Sequence, residues 1–284
     1  MDANSAGGMP ASPSNSEIET PATPSDFTGR NLSTITSVID SYLQTAPELS
    51  IVIPAYNESH KVARDIAAAE AFLKQERLTG EVIVSDDGSR DDTAGTARAC
   101  VVSPPITLKV ITQERNRGKG AAVRAGMAAS NGEFVMFADS GVCIPYEQAM
   151  RGLTLLRAGK CEIAHASRKR IDSIITNPQP FHRRVLSRVF RSAVDAVLGL
   201  PYRLSDTQCG FKIYQGDLAR KLYSECLTDG FLFDLEIILR AKKAGARIAE
   251  FPVTWSCDPD SRLRPGKTAI RTILELRSIK KSVK

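Results

Sequence analysis

From Leu49 onward, short unbroken apolar runs alternate with longer stretches in which apolar residues return every three or four positions. The runs "LSIVIP" (49–54), "EVIVSDD" (81–87), "LKVIT" (108–112), "EFVMFAD" (133–139) and "EIAHAS" (162–167) read as buried strands, apolar on both faces. The stretches "ESHKVARDIAAAEAFLKQE", "RDDTAGTARAC", "GKGAAVRAGMAAS" and "YEQAMRGLTLLRAG" read as helices. Strand and helix in alternation predict βαβ units, hence an α/β fold with a mainly parallel sheet flanked by helices. Ligands of such sheets bind beyond the carboxyl ends of the strands. There the polar turns "PAYNE", "SDDGS" and "ADSG" converge.

With 284 residues and 42% apolar content, the chain can bury a sizeable core. Residues 1–47, rich in Ser, Pro, Ala and Thr, predict a disordered tail without the basic start and apolar core of a signal peptide. Residues 48–260 predict the α/β domain and 261–284 a basic C-terminal helix. Six acids against one arginine through Glu48 leave −5 there and +11 for the remainder of this +6 chain. The folded part therefore suits polyanions. The six cysteines form no CxxC pair, which argues against zinc or a disulfide framework and for reduced thiols. No apolar run reaches the roughly 18 residues of a membrane span.

The strand ending in Asp86 and Asp87 presents two carboxylates at the binding edge. Gly88 permits the turn, and Ser89 or Asp91 is expected to cap the next helix. Asp91 and Asp92 suit any first helical turn. Asp86 and Asp87 repel one another unless something pairs with them, which makes them binding candidates.

In order and spacing, "SIVIPAYNE", "VIVSDDGSRDDT", "NRGKGAAVRAGM", "FVMFADSG", "SDTQCGFKIY" and "GFLFDLEIILRAKKAG" resemble the family-2 glycosyltransferases of the GT-A fold, nearest the dolichyl-phosphate glucosyltransferase and polyprenyl-phosphate mannosyltransferase branch. The resemblance spans residues 49 to about 265. It implies that Pro54, Tyr56 and Glu58 line a nucleoside pocket, that Asp86 or Asp87 meets the base, and that Lys119 lies near the donor diphosphate. Gly118 and Gly120 would let backbone approach that diphosphate. The family's Asp-x-Asp holds a divalent ion, Mg²⁺ or Mn²⁺. Here Asp139 matches its first carboxylate, with Pro145 six residues on, and Gly141 stands at the second. A different alignment makes Asp139 the second Asp and leaves the first missing. Either way one carboxylate is lost.

On the acceptor side, "ASRKR" matches a Gly-Ser-Arg segment of the family, and Arg168, Arg183 and Arg184 become candidate phosphate clamps. Lys212 and Arg262 join them. By the same resemblance Asp234, Glu236 and Gln208 complete the catalytic site. If a helix begins near Asp234, one of the two acids caps it and the other is free to reach the crevice. Residues 183–198 carry an apolar stripe flanked by arginines, and the C-terminus repeats the pattern. Each suits either core packing or an anionic membrane surface. A nucleic-acid arm is disfavoured, because no base-reading motif accompanies the charge.

The expected activity is inverting transfer of a hexose from a nucleotide sugar, UDP-glucose foremost, to a polyprenyl or dolichyl phosphate. The enzyme would sit peripherally at the cytoplasmic face of a membrane. A soluble hydroxyl acceptor and a non-catalytic nucleotide-sugar-binding homologue are the alternatives. Oligomeric state is not legible.

Overall fold

The apolar runs become β1 (Leu49–Ala55), β2 (Gly80–Asp86), β3 (Thr107–Thr112), β4 (Phe134–Ala138) and β5 (Ile163–Ser167) in the computed structural model. Between them lie α1 (Val62–Gln75), α2 (Thr93–Ala99), α3 (Lys119–Ala128) and α4 (Ala149–Arg157), as the periodicity predicts. Downstream follow β6 (Ile174–Asn177), β7 (Phe211–Gln215), α5 (Gly216–Ser224), α6 (Phe233–Lys243), β8 (Ile248–Pro252), β9 (Thr254–Ser256) and α7 (Ala269–Ser282). The structure describes residues 46–177, 194, 196–198, 204–257 and 269–283. The expected N-terminal tail, up to residue 45, lies outside them.

Seven strands form one sheet in the order β3-β2-β1-β4-β7-β5-β8. Neighbours run parallel except where β7 pairs antiparallel with both β4 and β5. Alternation along β1 explains why its run is unbroken: Ile51 and Ile53 enter the core under α1 and α4, while Val52 enters the core under α3, α5 and α6. A strand covered on both faces needs apolar residues on both. The chain leaves β1 toward β2 and β3, then returns to place β4 on the other side of β1. At such a reversal, beyond the carboxyl ends of the strands, sheets of this kind bind their ligands.

A third apolar cluster joins Val194 and Leu198 to Leu232 and Leu235 near the start of α6 and to Leu276 and Ile279 of α7. Lys280 Nζ also donates to the carbonyl of Val197 at 2.6 Å. At these positions the two stripes, for which core packing and a membrane surface were the alternatives, pack on each other and on the domain.

Candidate active site

The carboxylates ending β2 each tie down a different loop. Asp86 accepts from the Ser89 amide at 3.2 Å and from the Ser89 hydroxyl, and that hydroxyl accepts from the Asn57 amide at 2.7 Å. Asp87 accepts from the amides of Arg117 at 3.0 Å and Gly118 at 2.7 Å, and from Asn116 Nδ2 at 2.8 Å. Burial pushes the Asp87 carboxyl upward against the pull of those amides. Gly88 allows the sharp turn, since at φ +65° an added Cβ would sit 2.5 Å from the Arg115 backbone. The expectation that Ser89 or Asp91 caps α2 is corrected: the N-cap is Asp92, without a side-chain bond, and Asp91 instead accepts from the amides of Thr93 and Ser59.

Gly118 caps α3 and Lys119 is its first residue. The glycines flanking Lys119 leave room for the backbone of the 227–230 loop. A Cβ at Gly118 would lie 2.5 Å from the Asp229 carbonyl, and one at Gly120 2.4 Å from that of Thr228. Glu236 holds this 227–230 loop in place. Its carboxylate accepts from the amides of Leu227 at 3.0 Å and Thr228 at 2.8 Å and pairs with Arg240 at 2.7 Å. Asp229 completes the tie through Arg117 at 3.0 Å and Arg124.

Neither acid of "FDLE" is the N-cap, which is Leu232; both lie in the first turn of α6. Two positions apart, they diverge by about 200° around the helix. Glu236 therefore binds the loop, and Asp234 points to Lys212, whose Nζ lies 2.5 Å from Oδ1. Both partners are buried, at 1% and 4% side-chain exposure. Burial raises the Asp234 carboxyl against the opposing fields of Lys212 and Lys119.

Lys119 Nζ pairs with Asp139 Oδ1 at 2.5 Å, above the rings of Phe137 and Phe233. Burial pulls the amine down, but Asp139 and Asp234 more than offset this and leave it above an ordinary lysine. The two ion pairs share Phe137, since Lys212 Nζ stands 5.3 Å from that ring's centroid. At the end of β5, Arg168 forms a fork with Asp206, Nε to Oδ2 at 2.6 Å and Nη2 to Oδ1 at 2.9 Å, and lies 5.4 Å from the Trp255 ring centroid. Against the cost of burial, this fork holds the Asp206 carboxyl at about 2. Glu250 supports Asp206 by accepting its amide at 2.9 Å.

The turn after β4 has a support that sequence reasoning missed. Asp65 of α1, fully buried, accepts from Ser140 Oγ at 2.5 Å and from the Gly141 amide at 2.9 Å. Burial raises its carboxyl against those two bonds. Gly141 has φ +104°, a backbone that disfavours the aspartate of the family motif. Among the described residues, no group of three or more His, Cys, Asp or Glu side chains is placed to hold a metal. Mg²⁺-type ions are nonetheless bound through one or two carboxylates plus substrate phosphates. Asp139, with 40% of its side chain exposed, fits as such a single carboxylate.

Of the residues predicted from sequence, Asp139, Lys119, Asp234, Lys212 and Arg168 gather around the ends of β4, β5 and β7. Pro54 is buried at the end of β1, with Tyr56 and Glu58 half-buried beyond it. Gln208 is half-buried in the turn that carries Asp206. Arg183, Arg184 and Arg262 lie outside the described residues. Besides Asp65, sequence reasoning passed over Asp206, Asp229 and Trp255. Asp206 stands in the quoted "SDTQCGFK", so a basic residue seeking a partner was the available signal.

Polar turns at the strand ends, a half-exposed carboxylate paired with a helix-initial lysine, and an arginine held by Asp206 are gathered at one edge of a mainly parallel α/β sheet. Residues 50–222 match the model of glycosyl transferase family 2, and the chain belongs to that family as a glycosyltransferase. Over 243 residues it is 31% identical to the dolichyl-phosphate beta-glucosyltransferase of Homo sapiens, covering 82% of this chain and 74% of that one. It is 28% identical to the protein of the same name from Dictyostelium discoideum, covering 78% and 71%. Among solved structures, glucosyl-3-phosphoglycerate synthase from Mycobacterium tuberculosis, in complex with Mn²⁺, UDP-glucose and phosphoglyceric acid, superposes with a TM-score of 0.58 at 19% identity, covering 86% and 82%. That likeness supports the GT-A fold.

Proposed function

We propose that the chain transfers glucose from UDP-glucose to a polyprenyl or dolichyl phosphate at a membrane surface, with inversion at the anomeric carbon. The observation that carries this reading is Arg168, held rigid by Asp206 beside the Lys119–Asp139 and Lys212–Asp234 pairs, with Nη1 taking no part in the fork. A pre-positioned guanidinium suits a phosphate acceptor. The names of the similar proteins from Homo sapiens and Dictyostelium discoideum point the same way.

In the reaction, an acceptor phosphate oxygen forms a bond to the anomeric carbon while the bond from that carbon to the diphosphate oxygen breaks and UDP leaves. With a second pKa near 6, the acceptor is largely a dianion at pH 7. It therefore needs positioning more than proton removal. In this reading Lys119 meets the growing charge on the diphosphate, and Asp234 orients Lys212 through their ion pair. Asp139 would hold a Mg²⁺ or Mn²⁺ ion, which when bound would supply charge neutralisation to the leaving group.

Among the described residues no helix is long and apolar enough to cross a membrane. In our reading a lipid acceptor is met by peripheral attachment at the cytoplasmic face. Incubation with a panel of nucleotide sugars and short polyprenyl phosphates, with and without EDTA, tests the reading. Transfer to a soluble sugar alcohol in preference to polyprenyl phosphate would overturn it.

A further inference from the structure

Outside the main sheet, β6 and β9 form a separate two-stranded ribbon. Its approach and first strand carry three isoleucines open to solvent: Ile171 at 94% exposure, Ile174 at 60% and Ile175 at 39%. Successive residues of a strand face opposite ways, so Ile174 and Ile175 present an apolar surface on both sides of β6. Isolated aliphatic residues on a surface are ordinary, but three exposed within five positions make both sides of this strand and its approach apolar.

The ribbon is mounted directly on the acceptor side of the crevice. Ser173 Oγ donates to the Ser167 carbonyl at 2.6 Å, Ile174 N to the Val253 carbonyl at 3.0 Å and Thr176 Oγ1 to the Trp255 carbonyl at 3.2 Å. Ile175 pairs in register with Trp255, and Trp255 lies against the Arg168 guanidinium. Where the isoleucines go, Arg168 must follow within a few residues.

Charge decides what covers the patch. Lys169 and Arg170 are exposed immediately before Ile171, with Asp172 the single acid of the approach. The segment that follows in sequence, 178–203, carries five arginines against one aspartate. Aliphatic residues bordered by cations suit an anionic bilayer, whose acyl region takes the first and whose headgroups take the second. Leu276 and Ile279 of the C-terminal helix are engaged inside the protein, although Leu274 of that helix and Leu227 and Phe231 before α6 are also exposed; the ribbon is where three such residues fall within five positions.

We propose that the β6–β9 ribbon is a membrane-docking element that inserts Ile171, Ile174 and Ile175 into the outer acyl region and so sets Arg168 at headgroup level. The inference rests on the lipid-phosphate reading and extends it. A polyprenyl phosphate then keeps its chain in the bilayer while its phosphate meets Arg168, without leaving the membrane.

The chain carries a single tryptophan, Trp255, which serves as the reporter. It is mixed with phosphatidylcholine–phosphatidylserine vesicles, with and without brominated acyl chains, in the absence of donor and acceptor. Quenching of Trp255 by the brominated lipid is expected, together with residual binding at 1 M salt, where the Debye length is about 3 Å. The triple variant Ile171→Ser, Ile174→Ser, Ile175→Ser is expected to lose vesicle affinity by about tenfold or more, and the matching leucine variant to retain it. Unchanged UDP affinity and melting temperature would show that the serine variant is folded. Vesicle affinity of the serine variant equal to native, or bound protein with unquenched Trp255, overturns the proposal. So does loss of self-association, measured by light scattering, with no loss of vesicle binding; that result would assign the patch to a second copy. The vesicle assay involves no transfer, so its failure leaves the acceptor preference to be judged by the transfer assay.

Discussion

Replacing Asp234 by Asn removes a charge whose partner cannot reach water. Lys212 Nζ sits 2.5 Å from Asp234 Oδ1 with 1% of its side chain exposed. It also stands 5.3 Å from the centroid of the Phe137 ring. Breaking one side of a buried pair costs about 3–5 kcal/mol. For a domain of this size each kcal/mol lowers Tm by about 2–4 °C, so the expected fall is roughly 6–20 °C. Lys212→Met should cost less, because the stranded carboxyl is already raised by burial and can take a proton, and it keeps the field of Lys119. The double variant Asp234→Asn, Lys212→Met should recover much of the loss, a coupling that a double-mutant cycle by calorimetry reads directly. Activity on a short polyprenyl phosphate, assayed below the lowered Tm, should remain appreciable, because a phosphate dianion needs no base. An Asp234→Asn protein that melts within a degree or two of the native would refute the buried-pair argument. A loss of about 10² to 10⁴ in rate in folded protein would mark Asp234 as a proton acceptor, against the phosphate acceptor.

The remaining predictions concern the other charged contacts. Removing Arg168 together with Arg184 should cripple transfer to polyprenyl phosphate while leaving UDP affinity near native, as measured by calorimetric titration. Asp206, held at about 2 against an ordinary 3.8, contributes about 2 kcal/mol that is present above pH 4 and lost as pH falls toward 2; urea unfolding of Asp206→Asn should lack that acid limb. Asp65→Ala should raise donor KM and cost about 1–3 kcal/mol, whereas Asp65→Asn keeps one oxygen for Ser140 and Gly141 and should behave nearly as native. Gly141→Asp should tighten Mn²⁺ binding in a direct titration at the cost of about 1–3 kcal/mol of stability from its φ of +104°, and equal metal affinity in both proteins would count against Asp139 as a lone ligand.

Local pattern by itself determined the first half of the fold. Each run from "LSIVIP" to "EIAHAS" is apolar on both faces because its strand is covered on both, and that requirement is written in consecutive residues. The same holds for α1 to α4, whose apolar spacing fits the helical period. Motif order also determined the family, and with it Asp139, Lys119 and Arg168 as residues of one crevice. Pairing across long stretches of chain was settled only by the tertiary structure. β7 runs antiparallel between β4 and β5, a choice made by partners tens of residues away. Asp87 finds its donors 29 to 31 positions on, and Asp65 finds Ser140 75 positions on. No local signal in "RDIAAAE" announces that contact. Asp234 and Glu236 are two residues apart and equally acidic, yet α6 turns them to opposite sides, one to Lys212 and one to the 227–230 loop. A charge in the sequence states what it can bind; which partner it meets depends on the distance the fold closes.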